Sequence, residues 1–223
     1  VDGALPPARG SLNDLVIAAA ANDLRVNAIT YSGPSLDQHV KAFELANKIA
    51  PIKDKRFVIE HLSFVSAENI TNIKKLGLIP TMLPGSMVWL NGIGRTKDLT
   101  PELADQYVPL KTFVDNDIRF SIGTDNVPYN MLHSIGAAVT RLDATTGAVS
   151  SPNQKISRID ALKAATINGA YLSFEENIKG SIEIGKLADL VVLSKDYMTT
   201  PAEDIRNIGV LMTIVGGKVV YEK

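Results

Sequence analysis

Short apolar runs alternate with apolar residues at helical spacing between Arg25 and Leu142. Each apolar run predicts a strand, and each segment with apolar residues three and four positions apart predicts a helix. The predicted strands are residues 25–30, 56–61, 78–82 and 119–122, with the tail of another at residues 1–3. The predicted helices are residues 12–22, 36–49, 67–76, 101–115, 132–142 and 158–169. A strand–helix repeat of this kind is typical of a parallel α/β sheet or barrel.

The pattern changes after residue 180, where short strands replace the strand–helix repeat. The predicted strands there are residues 182–184, 190–193, 210–215 and 218–221, and Gly216-Gly217 predicts a hairpin turn between the last two. Residues 84–99, which include the only tryptophan, Trp89, are predicted to be a long loop. A loop of that length in a compact domain is often a functional lid.

Two of the predicted strands lead into side chains that can bind a metal ion. His61 closes the strand that begins at Arg56, and Asp125 follows the strand that begins at Arg119. Because α/β barrels carry their chemistry at the carboxyl ends of their strands, the two groups could share one metal ion. Each also has a structural interpretation, since an isolated His is often a core residue and an Asp before a helix often caps it.

Composition excludes several classes of partner. The 223 residues are 45% apolar, enough for a substantial core, and 23 basic against 24 acidic side chains give a formal charge of −1. With no long run of either sign, neither nucleic acid nor a membrane surface is expected as a partner. The longest apolar runs are too short to span a bilayer. The absence of cysteine excludes disulfides and thiolate sites, and fits both the cytoplasm and export after removal of an upstream signal.

Five segments form a recognisable set when they are taken in order. They are Val58-Ile59-Glu60-His61, Gly123-Thr124-Asp125-Asn126-Val127-Pro128, Ala138-Val139-Thr140-Arg141, Thr166-Ile167-Asn168-Gly169-Ala170 and the stretch 180–193, which closes with Gly-Lys-Leu-Ala-Asp-Leu-Val-Val-Leu. The set resembles the C-terminal half of the amidohydrolase superfamily, and most closely its YtcJ-like branch, amidohydrolase family 3. The resemblance implies an α/β fold: the C-terminal half of a metal-dependent-hydrolase (β/α)8 TIM barrel over residues 1–178, plus strands of a small β-sandwich over residues 179–223.

The resemblance also implies a metal-dependent hydrolase that acts on carbon–nitrogen bonds other than peptide bonds. His61 corresponds to the metal-binding His after the sixth barrel strand. Asp125 corresponds to the eighth-strand Asp, which binds the metal and is the general base for metal-activated water. An imidazole and a carboxylate are suitable ligands for a divalent metal, above all zinc.

The predicted fifth strand departs from the family pattern. It should end in a further ligand His, but Ile29 and Thr30 stand there, followed by Tyr31. Two ligands are fewer than the three protein ligands of a catalytic zinc site. A closed barrel also needs about 250 residues, so we expect the N-terminal remainder of the same protein, or a second copy, to complete the barrel. The alternative is a non-catalytic amidohydrolase-like binding or scaffold protein that has lost its metal site.

The expected partner of the site is a small-molecule substrate. His133, at the start of the helix after Asp125, is either a solvent-exposed helix residue or a substrate contact. Trp89 and Tyr129 either line a pocket for an apolar group or anchor packing.

Overall fold

A computed structural model describes residues 10–31, 33–125 and 129–223. The strands are β1 (Asn27–Ile29), β2 (Val58–Glu60), β3 (Ile79–Met82), β4 (Ser121–Ile122), β5 (Leu190–Leu193), β6 (Val210–Val215) and β7 (Lys218–Glu222). The helices are α1 (Leu12–Ala21), α2 (Gly33–Ile49), α3 (Ala67–Leu76), α4 (Leu90–Thr96), α5 (Pro101–Ala104), α6 (Leu110–Asp115), α7 (Met131–Thr140), α8 (Arg158–Ala165) and α9 (Ile167–Leu172). The predicted strand tail at residues 1–3 and the loop at residues 126–128 lie outside the described residues.

The first four strands form one parallel sheet in the order β1-β2-β3-β4. Asn27 pairs with Val58, Val58 with Ile79, and Thr81 with Ser121. Each strand therefore lies beside the next strand in the chain, as in a barrel whose helices all cover one face of the sheet. The predicted parallel strand–helix architecture is confirmed.

The two ends of α3 are set by the capping residues that its sequence provides. The Ser66 hydroxyl accepts a hydrogen bond from the backbone N–H of Asn69 at 3.2 Å and begins α3. Gly77 ends the helix in the left-handed conformation, at a φ of 65°. A Cβ at Gly77 would lie 2.5 Å from the Lys53 carbonyl oxygen, so both the conformation and the space require glycine. The core between helices and sheet is apolar, with Phe43, Phe57, Ile59, Ile73 and Leu76 fully or almost fully buried.

The segment 84–99 is mostly helical, so the prediction of a long loop is wrong. Residues Gly85–Trp89 form a π-helical turn that continues into α4, with a kink where Asn91 leaves helical geometry. Gly92 made the segment resemble a loop, but here glycine permits close packing: a Cβ would lie 2.8 Å from the Ser150 Cβ. Glycine is therefore needed at position 92 for close packing of α4 against Ser150, and not for a turn.

The helix predicted for residues 101–115 is two helices, α5 and α6, because the chain between them makes a distant pairing. Tyr107 forms an isolated antiparallel bridge with Phe64, and the Val108 N–H donates to the Ser63 carbonyl at 2.6 Å. Val108 has a φ of 46°, which is incompatible with a continuous helix. The helix predicted for 158–169 is also divided, at Thr166, and continues to Leu172.

The C-terminal region forms a second, antiparallel sheet in the order β5-β6-β7. Gly216 and Gly217 join β6 to β7 at φ values of 55° and 78°, so the predicted hairpin is confirmed. The predicted strand at residues 182–184 is wrong: Ile182 and Ile184 are fully or nearly fully exposed, at 88% and 108%, and this stretch has no sheet partner among the described residues. Within the described ranges, no helix has the length and apolar character needed to cross a membrane.

Candidate metal centre

His61 and Asp125 both follow strands at the carboxyl edge of the parallel sheet. His61 comes directly after β2, and Asp125 is the third residue after β4. The two strands are not adjacent, because β3 lies between them. Both residues have a left-handed backbone, with φ values of 64° and 61°. Non-glycine residues in this conformation are uncommon and concentrate at functional sites. The two strand ends are therefore candidates for a functional site.

Neighbouring elements hold the strand end that leads to Asp125. The Gly123 N–H donates to the Met82 carbonyl at 2.9 Å and so extends the pairing of β4 with β3. The Gly123 carbonyl accepts from the Ser134 hydroxyl of α7 at 2.8 Å. The Asp125 side chain itself is exposed.

One cavity of about 470 Å³ contains both candidate ligands in its wall. Its lining comprises an imidazole, a carboxylate, a guanidinium, hydroxyl and amide groups, and apolar side chains: Tyr31, His61, Ser63, Phe64, Ser86, Met87, Leu90, Asn91, Arg95, Tyr107 and Asp125. The site therefore has the concave form and the mixed lining of a small-molecule site.

Tyr31 directly follows Ile29 and Thr30, which stand at the strand-end position where the family pattern has a further histidine. Its ring lies edge-on to the His61 imidazole, with centroids 5.4 Å apart, and its carbonyl accepts from the Ser63 N–H at 2.7 Å. Thr30 is buried and its hydroxyl donates to the Ser35 hydroxyl at 2.9 Å. Neither residue supplies an imidazole, since the Thr30 hydroxyl is hydrogen-bonded to Ser35 and Tyr31 packs an aromatic ring against His61.

Tyr107 forms a neutral part of the cavity wall. Its hydroxyl donates to the Met87 carbonyl at 3.0 Å, and burial raises the pKa of its phenol to about 12, against the opposing charges of Arg95 and Arg141. The ring packs against Phe64 with centroids 5.0 Å apart.

His133 and Trp89 are brought together, but outside the wall of this cavity. Their rings meet edge to face at a centroid distance of 5.4 Å, and the Arg206 guanidinium lies 4.3 Å above the Trp89 ring. Burial, followed by the charge of Arg206, lowers the pKa of His133. Tyr129 is 77% exposed. A substrate contact by any of these three residues stays a prediction.

The sequence analysis missed Arg95, Asn91 and Met87, which line the cavity. The three residues are spaced four positions apart in the sequence, a spacing that predicts one face of a helix. That spacing was the signal for them, but the glycines of the same segment favoured a loop.

The donor set is of the right type for a divalent metal, but it is small. His61 offers a nitrogen and Asp125 a carboxylate oxygen, both common zinc ligands. Within residues 10–31, 33–125 and 129–223, no group of three or more His, Cys, Asp or Glu side chains is placed to hold a metal ion. The two residues therefore fit as part of a metal site, and any further ligands would have to come from outside the described residues.

Comparison with known proteins identifies the family. A model of the amidohydrolase family matches residues 4–221. Protein LONG AFTER FAR-RED 3 of Arabidopsis thaliana is 26% identical over 213 residues, which are 94% of this chain and 36% of that protein. The N-substituted formamide deformylase of Arthrobacter pascens is 32% identical over 117 residues, 52% of this chain and 21% of that protein. The chain thus spans about a third of the first relative and about a fifth of the second.

Solved structures agree on the fold. An uncharacterised metal-dependent hydrolase from Pyrococcus horikoshii OT3 matches with a TM-score of 0.69 at 20% identity, over 85% of this chain and 38% of that one. The match supports the partial TIM barrel with added antiparallel strands, while the YtcJ-like branch stays a prediction. The match of the family model across nearly the whole sequence shows that this chain belongs to the amidohydrolase family.

Proposed function

We propose that this chain is part of a metal-dependent hydrolase that cleaves carbon–nitrogen bonds other than peptide bonds. The observation that carries the proposal is that His61 and Asp125, on different strands, line one cavity at the carboxyl edge of the sheet. This is the edge at which barrel enzymes carry their active sites. The formamide deformylase among the relatives, whose name denotes removal of a formyl group from nitrogen, supports the same bond class.

His61 and Asp125 would hold a divalent metal, most suitably zinc, together with ligands from outside the described residues. A metal bound there supplies Lewis-acid activation of water. The position of His61 is fixed by the edge-on Tyr31 ring and by the left-handed turn of its own backbone. The N-terminal remainder of the same protein, or a second copy of this chain, would supply further ligands and pair with the outer edges of β1 and β4, which no other described strand covers.

Asp125 is the group we assign as general base. Asp125 is exposed, so its carboxylate can meet a water molecule and a substrate. The carboxylate accepts a proton from the attacking water and passes it to the leaving nitrogen. Its location after the strand end, at the exposed side of the cavity, allows a substrate to approach it.

The test is metal analysis and amide hydrolysis by the full-length protein that contains this chain. We expect bound divalent metal in the wild-type protein, and loss of metal and of hydrolysis of simple amides, formamides and N-acyl amino acids in His61→Ala and Asp125→Ala. His39→Ala is the matched control, because His39 lies on α2 outside the cavity and its Nδ1 is 2.7 Å from the Ser35 carbonyl. Metal-free wild-type protein, or unchanged hydrolysis after either substitution, would contradict the proposal.

A second candidate function is binding without catalysis by a relative that has lost its metal. The observation in its favour is that Ile29 and Thr30, followed by Tyr31, stand at the strand end where the family pattern has a histidine. In that case metal analysis gives no bound ion, and His61→Ala leaves ligand binding intact.

A further inference from the structure

Three arginines lie at the amino edge of the parallel sheet, opposite the cavity, each two residues before a strand. Arg25 precedes β1, Arg56 precedes β2 and Arg119 precedes β4. All three side chains contact one segment, residues 171–176, which begins in the last turn of α9 and is named the strap. The strap therefore reaches the amino ends of both outer strands of the sheet and of one strand between them.

The Tyr171 ring of the strap lies between two of these arginines. The Arg56 Cζ is 3.5 Å from the centre of the ring, and the Arg119 Cζ is 3.8 Å from it. Two guanidinium groups at contact distance from one ring centre cannot share a face, because their atoms would overlap, so they stack on opposite faces. The ring thus sets the spacing between Arg56 and Arg119 through two cation–π contacts.

Hydrogen bonds tie the strap to the other strand leads. Arg56 donates to the Glu176 carboxylate through both terminal nitrogens, at 2.9 and 2.6 Å, and also donates to the Tyr171 carbonyl. Arg25 donates to the Leu172 carbonyl. Because the bond between Arg56 and Glu176 is bidentate, it fixes the orientation of the guanidinium as well as its position. The Tyr171 ring is therefore held in place from both its backbone and its neighbours.

The two arginines on the Tyr171 ring precede the strands that lead to the candidate metal ligands. Arg56 leads through β2 to His61, and Arg119 leads through β4 to Asp125. Since β3 lies between these strands, parallel-sheet spacing places β2 and β4 about 9–10 Å apart. The Tyr171 ring bridges this gap at the amino edge. Sites that bind metal need their ligands held to within about 0.5 Å, so a group that fixes the spacing of the two strands bears directly on the ligand pair.

We propose that Tyr171 is a positioning residue for the metal pair. Its ring holds Arg56 and Arg119 on its two faces and so fixes the distance between β2 and β4. That distance determines whether His61 and Asp125 can approach one ion. Tyr171 lies at the opposite edge of the sheet and acts only through the strands. The proposal rests on the metal site proposed above, so its test includes a readout that needs no metal.

The first measurement is the zinc affinity of the full-length protein that contains this chain, by competition with a chelator. We expect Tyr171→Leu and Arg119→Gln to weaken zinc binding about 3- to 10-fold, less than the loss of about 10- to 100-fold for groups bonded directly to a metal ligand. Tyr171→Phe keeps both ring faces and should bind zinc as the wild-type protein does. Arg158→Gln is the matched control, because it removes a guanidinium that stacks on a different tyrosine, Tyr197, outside the strap. It should leave zinc affinity unchanged.

The second measurement is amide hydrogen exchange of the metal-free protein, followed by mass spectrometry of short peptides. The Ser63 N–H donates to the Tyr31 carbonyl at 2.7 Å, near the carboxyl end of β2. The Gly123 N–H donates to the Met82 carbonyl at 2.9 Å, at the carboxyl end of β4. Exchange of these two amides therefore reports how firmly the strand ends are held. We expect both to exchange faster in the two variants that lose a stacking contact, and at the wild-type rate in the other two.

Unchanged zinc affinity in Tyr171→Leu overturns the proposal even if Tm falls, because a purely structural ring would lower stability alone. Wild-type exchange at both amides in Tyr171→Leu and Arg119→Gln overturns it as well, since the strand ends would then not depend on the strap. Wild-type protein that binds no zinc contradicts the metal site proposed above. Exchange then decides the positioning by itself: faster exchange in these two variants supports it, and unchanged exchange overturns it.

Discussion

Replacement of Arg141 by methionine tests whether one buried guanidinium organises the wall of the cavity. Arg141 is completely buried at the end of α7 and donates three hydrogen bonds to backbone carbonyls. Nε–H donates to Ser150 at 3.1 Å, and the two terminal nitrogens donate to Val108 and Tyr107, each at 2.9 Å. These bonds tie the segment that carries Tyr107 to α7 and to the loop near residue 150. Methionine has similar bulk but no donor.

The expected loss follows from those three bonds. Hydrogen bonds from a charged donor contribute about 1.5–3 kcal/mol each, and their removal leaves the buried carbonyls without this donor. Part of this loss is offset, because the methionine variant no longer buries a charge. The cost of burying that charge is seen in the pKa of Arg141, which burial lowers to about 10 although Tyr107 and Asp105 act in the opposite direction. We therefore expect the free energy of unfolding to fall by about 3–5 kcal/mol. For a domain of 150–250 residues this lowers Tm by roughly 6–20 °C.

Thermal unfolding of the wild-type and variant proteins, followed by circular dichroism, measures this change. Arg141→Lys should lie between the two, because an ammonium group keeps the charge but cannot reach three carbonyls in a planar fork. Lys97→Met removes an exposed cation and should change stability by less than about 0.5 kcal/mol. If Arg141→Met lowers Tm no more than Lys97→Met does, the three hydrogen bonds do not stabilise the fold.

Three further predictions concern Gly92, Glu176 and Gly77. Gly92→Ala should destabilise the protein by about 1–3 kcal/mol through overpacking, since the new Cβ would lie 2.8 Å from that of Ser150, and Ser150→Gly in the same chain should restore part of the loss in a urea titration. The Glu176 carboxylate, bonded to Arg56, has its pKa lowered from 4.5 to about 2, so the stability it contributes is fully present above about pH 4.5 and is lost as the pH falls toward 2. Glu176→Gln should therefore show a smaller fall in Tm across that pH window than the wild-type protein, and an identical fall would contradict the pairing. Gly77→Ala should lower stability by about 1 kcal/mol or more, because its φ of 65° and the backbone carbonyl 2.5 Å away both oppose a side chain; an unchanged Tm would show that the turn can relax.

The sequence predicted those features that depend on local pattern. Ser66 and Gly77 bound α3 as predicted, and the glycine pair at 216–217 forms the expected turn. The same reasoning placed His61 and Asp125 at strand ends, and the structure puts both on one cavity, although their binding of metal stays a prediction.

Features that depend on contacts between distant parts of the chain could not be predicted from local sequence pattern. Tyr107 interrupts a helix because it pairs with Phe64, more than forty positions earlier, and no local pattern records that pairing. Arg95 lies on a helix that contains two glycines, and Gly92 is explained only by the Ser150 side chain that packs against it. Ile182 resembles a strand residue, but local β-propensity forms no strand without a neighbouring strand to pair with.

The short helical segment Ala202–Asn207, between β5 and β6, has a consequence for how the chain can be divided. Ile205 and Ile208 are buried in the same apolar core as the parallel sheet, and the 202–207 segment packs on α7. Truncation at the predicted boundary of residues 178 and 179 would remove these side chains and expose the α7 surface they cover. A protein shortened at that point should aggregate or bind hydrophobic dyes, whereas one cleaved within the exposed stretch 182–184 but left intact elsewhere should keep both halves together.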